Sequence, residues 1–365
     1  MNDLPVTPLA AAPLPFEASF EQIPDDEAQT SKELAETLHS IMETTFKDNG
    51  HAHRSVHAKA HGLLKGQVTV LDNLPPALAQ GAFARPGTLA ALLRFSTNPG
   101  DILDDKVSTP RGLAIKLVGV DGPRLPGSEG QVTQDFVMQN AKAFTSATPK
   151  AFLKTLKLLA KTTDKAPGMK RALSAVLRGV ESTIESLGGE SGTLKSLGGH
   201  PQTHILGESF STVVPFLYGP YYAKLAMVPV SPSLTALTDQ HVDFGDNPDG
   251  LRAAVSQYFS QQGGVWELRV QLATDIDKMP IEDASVQWPE DLSPYVTVAR
   301  VEVEPQATWD EEKVREIDEG MAFSPWHGLA AHRPLGGVMR VRKPSYEMSS
   351  AFRGSHNGCP IHEPR

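Results

Sequence analysis

Apolar residues recur at helical spacing between residues 31 and 46, at Leu34, Leu38, Ile41 and Met42, with Ser31 placed to cap the start, so a helix is predicted there. From about residue 65 the period shortens toward two. Strands are predicted over 66–71, 91–97, 111–118 and 135–138, separated by turn clusters of Gly, Pro and Asp. Residues 149–188 return to a helical pattern, Leu and Ala on one face and Lys on the other, interrupted at Ala166-Pro167-Gly168. They read as part of an insertion, 149–205, between two groups of strands. Strand patterns resume over 211–216, 222–230, 266–272 and 295–303, and the segment from Asp310 onward is mostly helical. Roughly eight strands in two groups predict an α+β fold: a closed antiparallel eight-stranded β-barrel, which removes exposed edges, with a helical insertion and C-terminal helices.

Residues 1–28 are rich in Pro, Ala and acidic groups and read as an arm draped over the surface or over a partner. The principal domain then spans 29–354, and 355–365 form a tail. With 365 residues, 40% of them hydrophobic and 21% charged, the chain has the composition of a globular protein able to bury a large core. A net charge of -9 argues against generic nucleic-acid binding, since a polyanion would be repelled. The N-terminus shows no basic segment followed by an apolar stretch, and no window approaches the roughly 20 apolar residues that span a bilayer, so a cytoplasmic location is expected. Cys359 is the only cysteine, which excludes an intramolecular disulfide.

Two short segments carry the chemistry. One is Arg54-Ser55-Val56-His57-Ala58-Lys59; the other is Arg342-Lys343-Pro344-Ser345-Tyr346, followed by Arg353. A histidine able to work above a haem and a tyrosine able to ligate its iron from below are complementary halves of one site. A phenol, with an ordinary pKa near 10, is a poor iron ligand until ferric iron and a nearby cation lower it. Four-residue spacing on a helix puts Arg342 and Tyr346 on one face, where the guanidinium can donate to the phenolate. Against this, Tyr346 could be an ordinary half-buried aromatic, and Cys359 could be a rival thiolate ligand. His57 could be a core histidine, or share a metal site with His51, His53 and His61.

Further motifs extend the pattern: Arg94-Phe95-Ser96-Thr97, Pro110-Arg111-Gly112-Leu113-Ala114-Ile115-Lys116, Val286-Gln287-Trp288-Pro289 and Phe323-Ser324-Pro325. With the two segments above, in this order, they resemble the motifs of the haem catalase family over most of residues 50–354. The resemblance is to a short, catalase-like member, without the C-terminal flavodoxin-like domain of large catalases and with no dinucleotide fingerprint. It implies haem b as cofactor, held through iron by Tyr346. It also implies that Ser96 bonds the second ring nitrogen of His57, that Val56 crowds the space over the iron, and that Arg54, Arg94 and Arg353 pair with the haem propionates. Phe144 matches a later aromatic near the haem. Arg111 is better read as structural, in the turn that opens a strand.

One departure lies near residue 132. Holding Thr133 and Phe136 in the family register places Val132 where the family has an asparagine, with Gln131 the nearest substitute, and Val137 replaces one of an aromatic pair. Loss of a polar donor favours a bulkier, less polar substrate than hydrogen peroxide. The expected function is therefore a haem oxidoreductase acting on organic or fatty-acid hydroperoxides as peroxidase, peroxygenase or hydroperoxide isomerase, with His57 driving O–O heterolysis and an organic co-substrate possible. The alternatives are a true catalase dismutating hydrogen peroxide with Gln131 as the amide, and a non-catalytic haem or lipid carrier. A monomer or homodimer is expected, from the short arm.

Overall fold

The structure is a computed structural model that describes residues 9–160 and 200–364. Among these residues nine strands form one antiparallel sheet: β1 (Ala60–Val70), β2 (Gly87–Thr97), β3 (Arg111–Val118), β4 (Thr133–Gln139), β5 (Phe210–Ser211), β6 (Phe216–Tyr218), β7 (Tyr221–Pro229), β8 (Gly264–Leu272) and β9 (Val296–Val303). Strand β1 pairs with both β2 and β9, and short β5 bridges β4 to β7. Eight strands thereby close into the expected barrel, with β6 a hairpin partner of β7. The strand expected over 211–216 is split, because Val213 adopts a φ of +53° and turns the chain between β5 and β6.

Alternation along the strands divides the wall into two faces. Leu93, Phe95, Ile115, Phe136 and Met138 point into a core shared with Leu225, Trp266 and Val298. The other face of β2, β3 and β4 is a grid fixed by register: Arg94 pairs with Ala114 and Ala114 with Val137, while Ser96 pairs with Gly112 and Gly112 with Gln139. The middle strand thus contributes only a hydrogen and a methyl, leaving a shallow floor between flanking side chains.

Four helices of ten or more residues are described: α1 (Glu27–Asn49), α2 (Pro149–Ala160), α3 (Gly250–Phe259) and α4 (Gly337–Asn357). Helix α1 starts before the predicted cap. Ser31 lies inside it and donates its Oγ proton to Val341 O, 3.2 Å away in α4. The apolar stripe Leu34, Leu38 and Ile41 packs against Val341 and Met348 of α4 and Leu153 and Leu156 of α2. Of the predicted insertion, α2 and residues 200–205 belong to the described part; the helical pattern beyond 160 and its break at 166–168 lie outside the described residues.

The chain reaches α4 through a π-helical turn, Val314–Glu319, and an irregular stretch, so the region after Asp310 is less helical than its sequence suggests. The arm lies on its own barrel: Leu14 N donates to Ala273 O at 2.7 Å and Phe16 N to Pro220 O at 2.8 Å. Among the described residues no helix is long and apolar enough to cross a membrane.

Candidate active site

His57 sits in the loop before β1 with a φ of +55°, a strained conformation for a non-glycine residue. Its backbone is held from both sides: His57 N donates to Asn98 O at 2.8 Å, and Arg94 Nη1 donates to His57 O at 2.9 Å. The imidazole lies over β3. A Cβ on Gly112 would stand 2.4 Å from His57 Cε1 and 2.5 Å from Nδ1, so only glycine allows the ring to rest there.

Ser96 Oγ is 3.1 Å from His57 Nδ1 and 3.4 Å from Gly112 O. A hydroxyl has one proton; if Gly112 O receives it, the oxygen accepts from Nδ1–H and the Nε2 lone pair is left free. Burial first, then the cations Arg94, Arg342 and Arg54, push the imidazole down to about 3, so it is neutral at physiological pH. A neutral histidine with an open nitrogen is a base.

Opposite, α4 presents Arg342 and Tyr346 one turn apart. Arg342 Nη2 donates to Tyr346 Oη at 2.7 Å, and the guanidinium lies 5.8 Å from the centre of the Phe144 ring. His57, Arg342 and Tyr346 line one cavity with Phe136, Val137, Val213, Val214, Phe216 and Met339. A second cavity borders Tyr346 from the side of Phe323, Trp326 and Lys343.

Arg54, Arg94 and Arg353, distant in sequence, converge on Asp318 in the π-helical turn. Arg54 Nη1 and Arg94 Nε donate to Asp318 Oδ1 at 2.7 and 2.8 Å, and Arg353 Nη1 donates to Asp318 O at 3.0 Å. Burial would raise the Asp318 carboxyl, but Arg94 and Arg54 outweigh it and hold the group well below the usual carboxylate range. Arg54 and Arg94 share the Asp318 carboxylate, Arg353 bonds backbone carbonyls beside it, and Arg353 Nε is buried without a partner among the described residues. With the nearby Glu319 carboxylate counted, the cations still outnumber the carboxylates.

Not every expected residue is in the cavity. Val56 packs with the α1–α2–α4 cluster and does not line it. Gln131 lies elsewhere, with Glu129, His362 and Glu363, and is corrected as the candidate amide. The strand pairing explains why: Val137 and Gln139 of β4, not residues 131–132, share the face and the cavity of His57. Arg111 is fully buried and donates to Glu208 Oε1 at 2.7 Å, in keeping with a structural part.

Of the four histidines His51, His53, His57 and His61, only His51 and His53 stay together, their ring centres 5.0 Å apart. His61 is buried with its Nε2 3.1 Å from Thr97 Oγ1, and His51 pairs with Glu319 at 3.1 Å. Among the described residues no group of three or more His, Cys, Asp or Glu could hold a metal ion. Cys359 lines neither cavity bordering Tyr346. Sequence reasoning missed Gly112, Gln139 and Asp318. A glycine inside an apolar strand was a usable sign of close approach, whereas Asp318 in its charged run carried none.

No family model and no curated protein matches the chain. Solved structures do. A crystal structure of a fungal catalase aligns with a TM-score of 0.57 at 17% identity, covering 88% of this chain and 65% of that one. Catalase A from Saccharomyces cerevisiae aligns with a TM-score of 0.58 at 17% identity, covering 85% and 63%. The chain therefore spans less than two thirds of the length of either structure, and at this identity the likeness is one of fold: the barrel is catalase-like.

Proposed function

We propose that this chain is a haem-dependent oxidoreductase acting on peroxides, with organic hydroperoxides, fatty-acid hydroperoxides among them, as the preferred substrates. The observation that carries the reading is that His57 and the Arg342–Tyr346 pair, 289 positions apart by their numbers (346 − 57), line one cavity.

The residues fit a haem. Tyr346, bonded by Arg342, offers a hard oxygen ligand suited to ferric iron. A cluster in which cations outnumber carboxylates suits propionates, and the orphaned Arg353 Nε is a donor in want of an acceptor. Haem b needs no covalent attachment, and such a set of non-covalent contacts suits it.

When bound, the haem supplies the two electrons that balance heterolysis of the peroxide. The protein moves the proton. Nε2 of His57 takes it from one peroxide oxygen and returns it to the other, which keeps the O–O electron pair and leaves as alcohol or water. Ser96 keeps the ring in the tautomer that can do this. The apolar wall of Val137, Val213, Val214 and Phe216 gives an organic chain a surface and excludes water.

Haem-loaded protein mixed separately with hydrogen peroxide and with a fatty-acid hydroperoxide tests this. The expected result is loss of the organic hydroperoxide with little oxygen released; inertness toward both would overturn the reading. Vigorous oxygen evolution from hydrogen peroxide would instead establish dismutation, a second reading favoured by the polar Gln139 in the same cavity.

A further inference from the structure

Ser96, Gly112 and Gln139 stand directly opposite one another on three neighbouring strands, so their side-chain directions point to one face. Ser96 holds Nδ1 of His57, and the missing side chain of Gly112 accommodates the ring. Gln139 is therefore the next residue beyond the imidazole, about 5 Å from Gly112 in the hydrogen-bonding direction, and it lines the cavity with His57.

The other polar side chains of the cavity are engaged. Asp135 is bonded by Lys116 at 2.7 Å, Thr212 Oγ1 accepts from Leu225 N at 3.2 Å, and His332 Nε2 accepts from Ala82 N at 2.9 Å. Arg342 and Tyr346 bond each other. Among the described residues the Gln139 carboxamide has no hydrogen-bond partner, and neither has His57 Nε2. A half-buried amide left unpaired in the same cavity as an unpaired base is free to hold a polar ligand.

We propose that Gln139 is a catalytic residue of the peroxide reaction: its amide N–H donates to the oxygen that departs, while His57 transfers the proton. The ligand is the hydroperoxide group itself, shared by hydrogen peroxide and alkyl hydroperoxides. A donor aimed where negative charge develops lowers the barrier more than it aids ground-state binding. Val137, on the same strand face, leaves the neighbouring space apolar for an alkyl substituent. A small peroxide depends on the amide more than a bulky one held also by the walls.

This rests on the peroxide reading, and the test separates the two. Gln139→Leu, Gln139→Asn and His57→Ala are compared with the parent in haem-loaded form, measuring haem absorption, the rate constants for hydrogen peroxide and cumene hydroperoxide, and the affinity for cyanide. Gln139→Leu is expected to keep the haem spectrum and slow the hydrogen peroxide reaction about 10- to 100-fold, with a smaller effect on cumene hydroperoxide. It is expected to weaken cyanide binding about tenfold, the loss of one hydrogen bond. Gln139→Asn is expected to recover part of both. Rates and cyanide affinity within twofold of the parent in Gln139→Leu, when His57→Ala is inactive, would overturn the role of Gln139 alone. Full activity of His57→Ala would overturn the peroxide reading and this role with it.

Discussion

Arg94 Nε donates to Asp318 Oδ1 at 2.8 Å, joining strand β2 to the π-helical turn across 224 positions of sequence. The same guanidinium holds His57 O and Ala58 O at 2.9 and 3.1 Å. One carboxylate therefore anchors the cation that holds the loop of His57, the proposed base, and it does so in a turn type common at functional sites.

Replacing Asp318 with Asn should destabilise the protein by about 3–5 kcal/mol, because it strands buried cations that now share a carboxylate. Its folded pKa lies below the unfolded value, so the contribution is complete above about pH 4 and is lost as pH falls through the folded value. Denaturation of parent and variant should differ by a constant amount between pH 5 and 8, the gap closing only in strong acid. Equal stability at pH 7 would contradict this role.

Gly112→Ala puts a methyl where the His57 ring now rests. The ring must move and its bond to Ser96 breaks. A displacement on the order of 1 Å costs about 100-fold in rate, and stopped-flow peroxide kinetics on a variant with unchanged circular dichroism would measure it.

Because His57 is pushed down to about 3, its basic form persists across the physiological range. Peroxide turnover should be level from pH 5 to 8 and fall only toward pH 3. An inflection near 6.5, the value of an unperturbed histidine, would show that the ring is not buried among cations in the working protein.

Tyr346→Phe removes the oxygen proposed to ligate iron, so titration with haem should show the largest loss of affinity and an altered absorption spectrum. Arg342→Gln keeps the phenol but removes its 2.7 Å guanidinium donor, and should weaken haem binding about 10- to 100-fold. Retention of parental affinity and spectrum by the Phe variant would exclude Tyr346 as the ligand.

Glu363 reaches back from the tail to His327 at 3.1 Å and Lys116 at 2.5 Å. Burial lowers the His327 pKa, but its contacts with Asp135 and Glu363 prevail and raise it to about 9. That stabilisation is complete below about 6.5 and is lost as pH rises through about 9. Urea denaturation at pH 6 and pH 9.5 should show the loss in the parent, and His327→Gln should reduce the difference.

The barrel was legible in the chain's periodicity, and so were the two segments from which the candidate site was proposed. Alternating apolar residues specify strands whose inner face must be buried. The four-residue step from Arg342 to Tyr346 specifies one helix face, since both signals are local and periodic. Which residues meet depends on the packing of the whole fold. Register on β4 sets Gln139, rather than Gln131, on the His57 face, and a slip of one residue would invert that choice. The burial of Asp318 among three arginines arises from elements separated by up to 264 positions, and no local pattern encodes such a contact. The polar character of the cavity was hidden for that reason: it depends on which side chains find partners, and partners are assigned by packing across the whole fold.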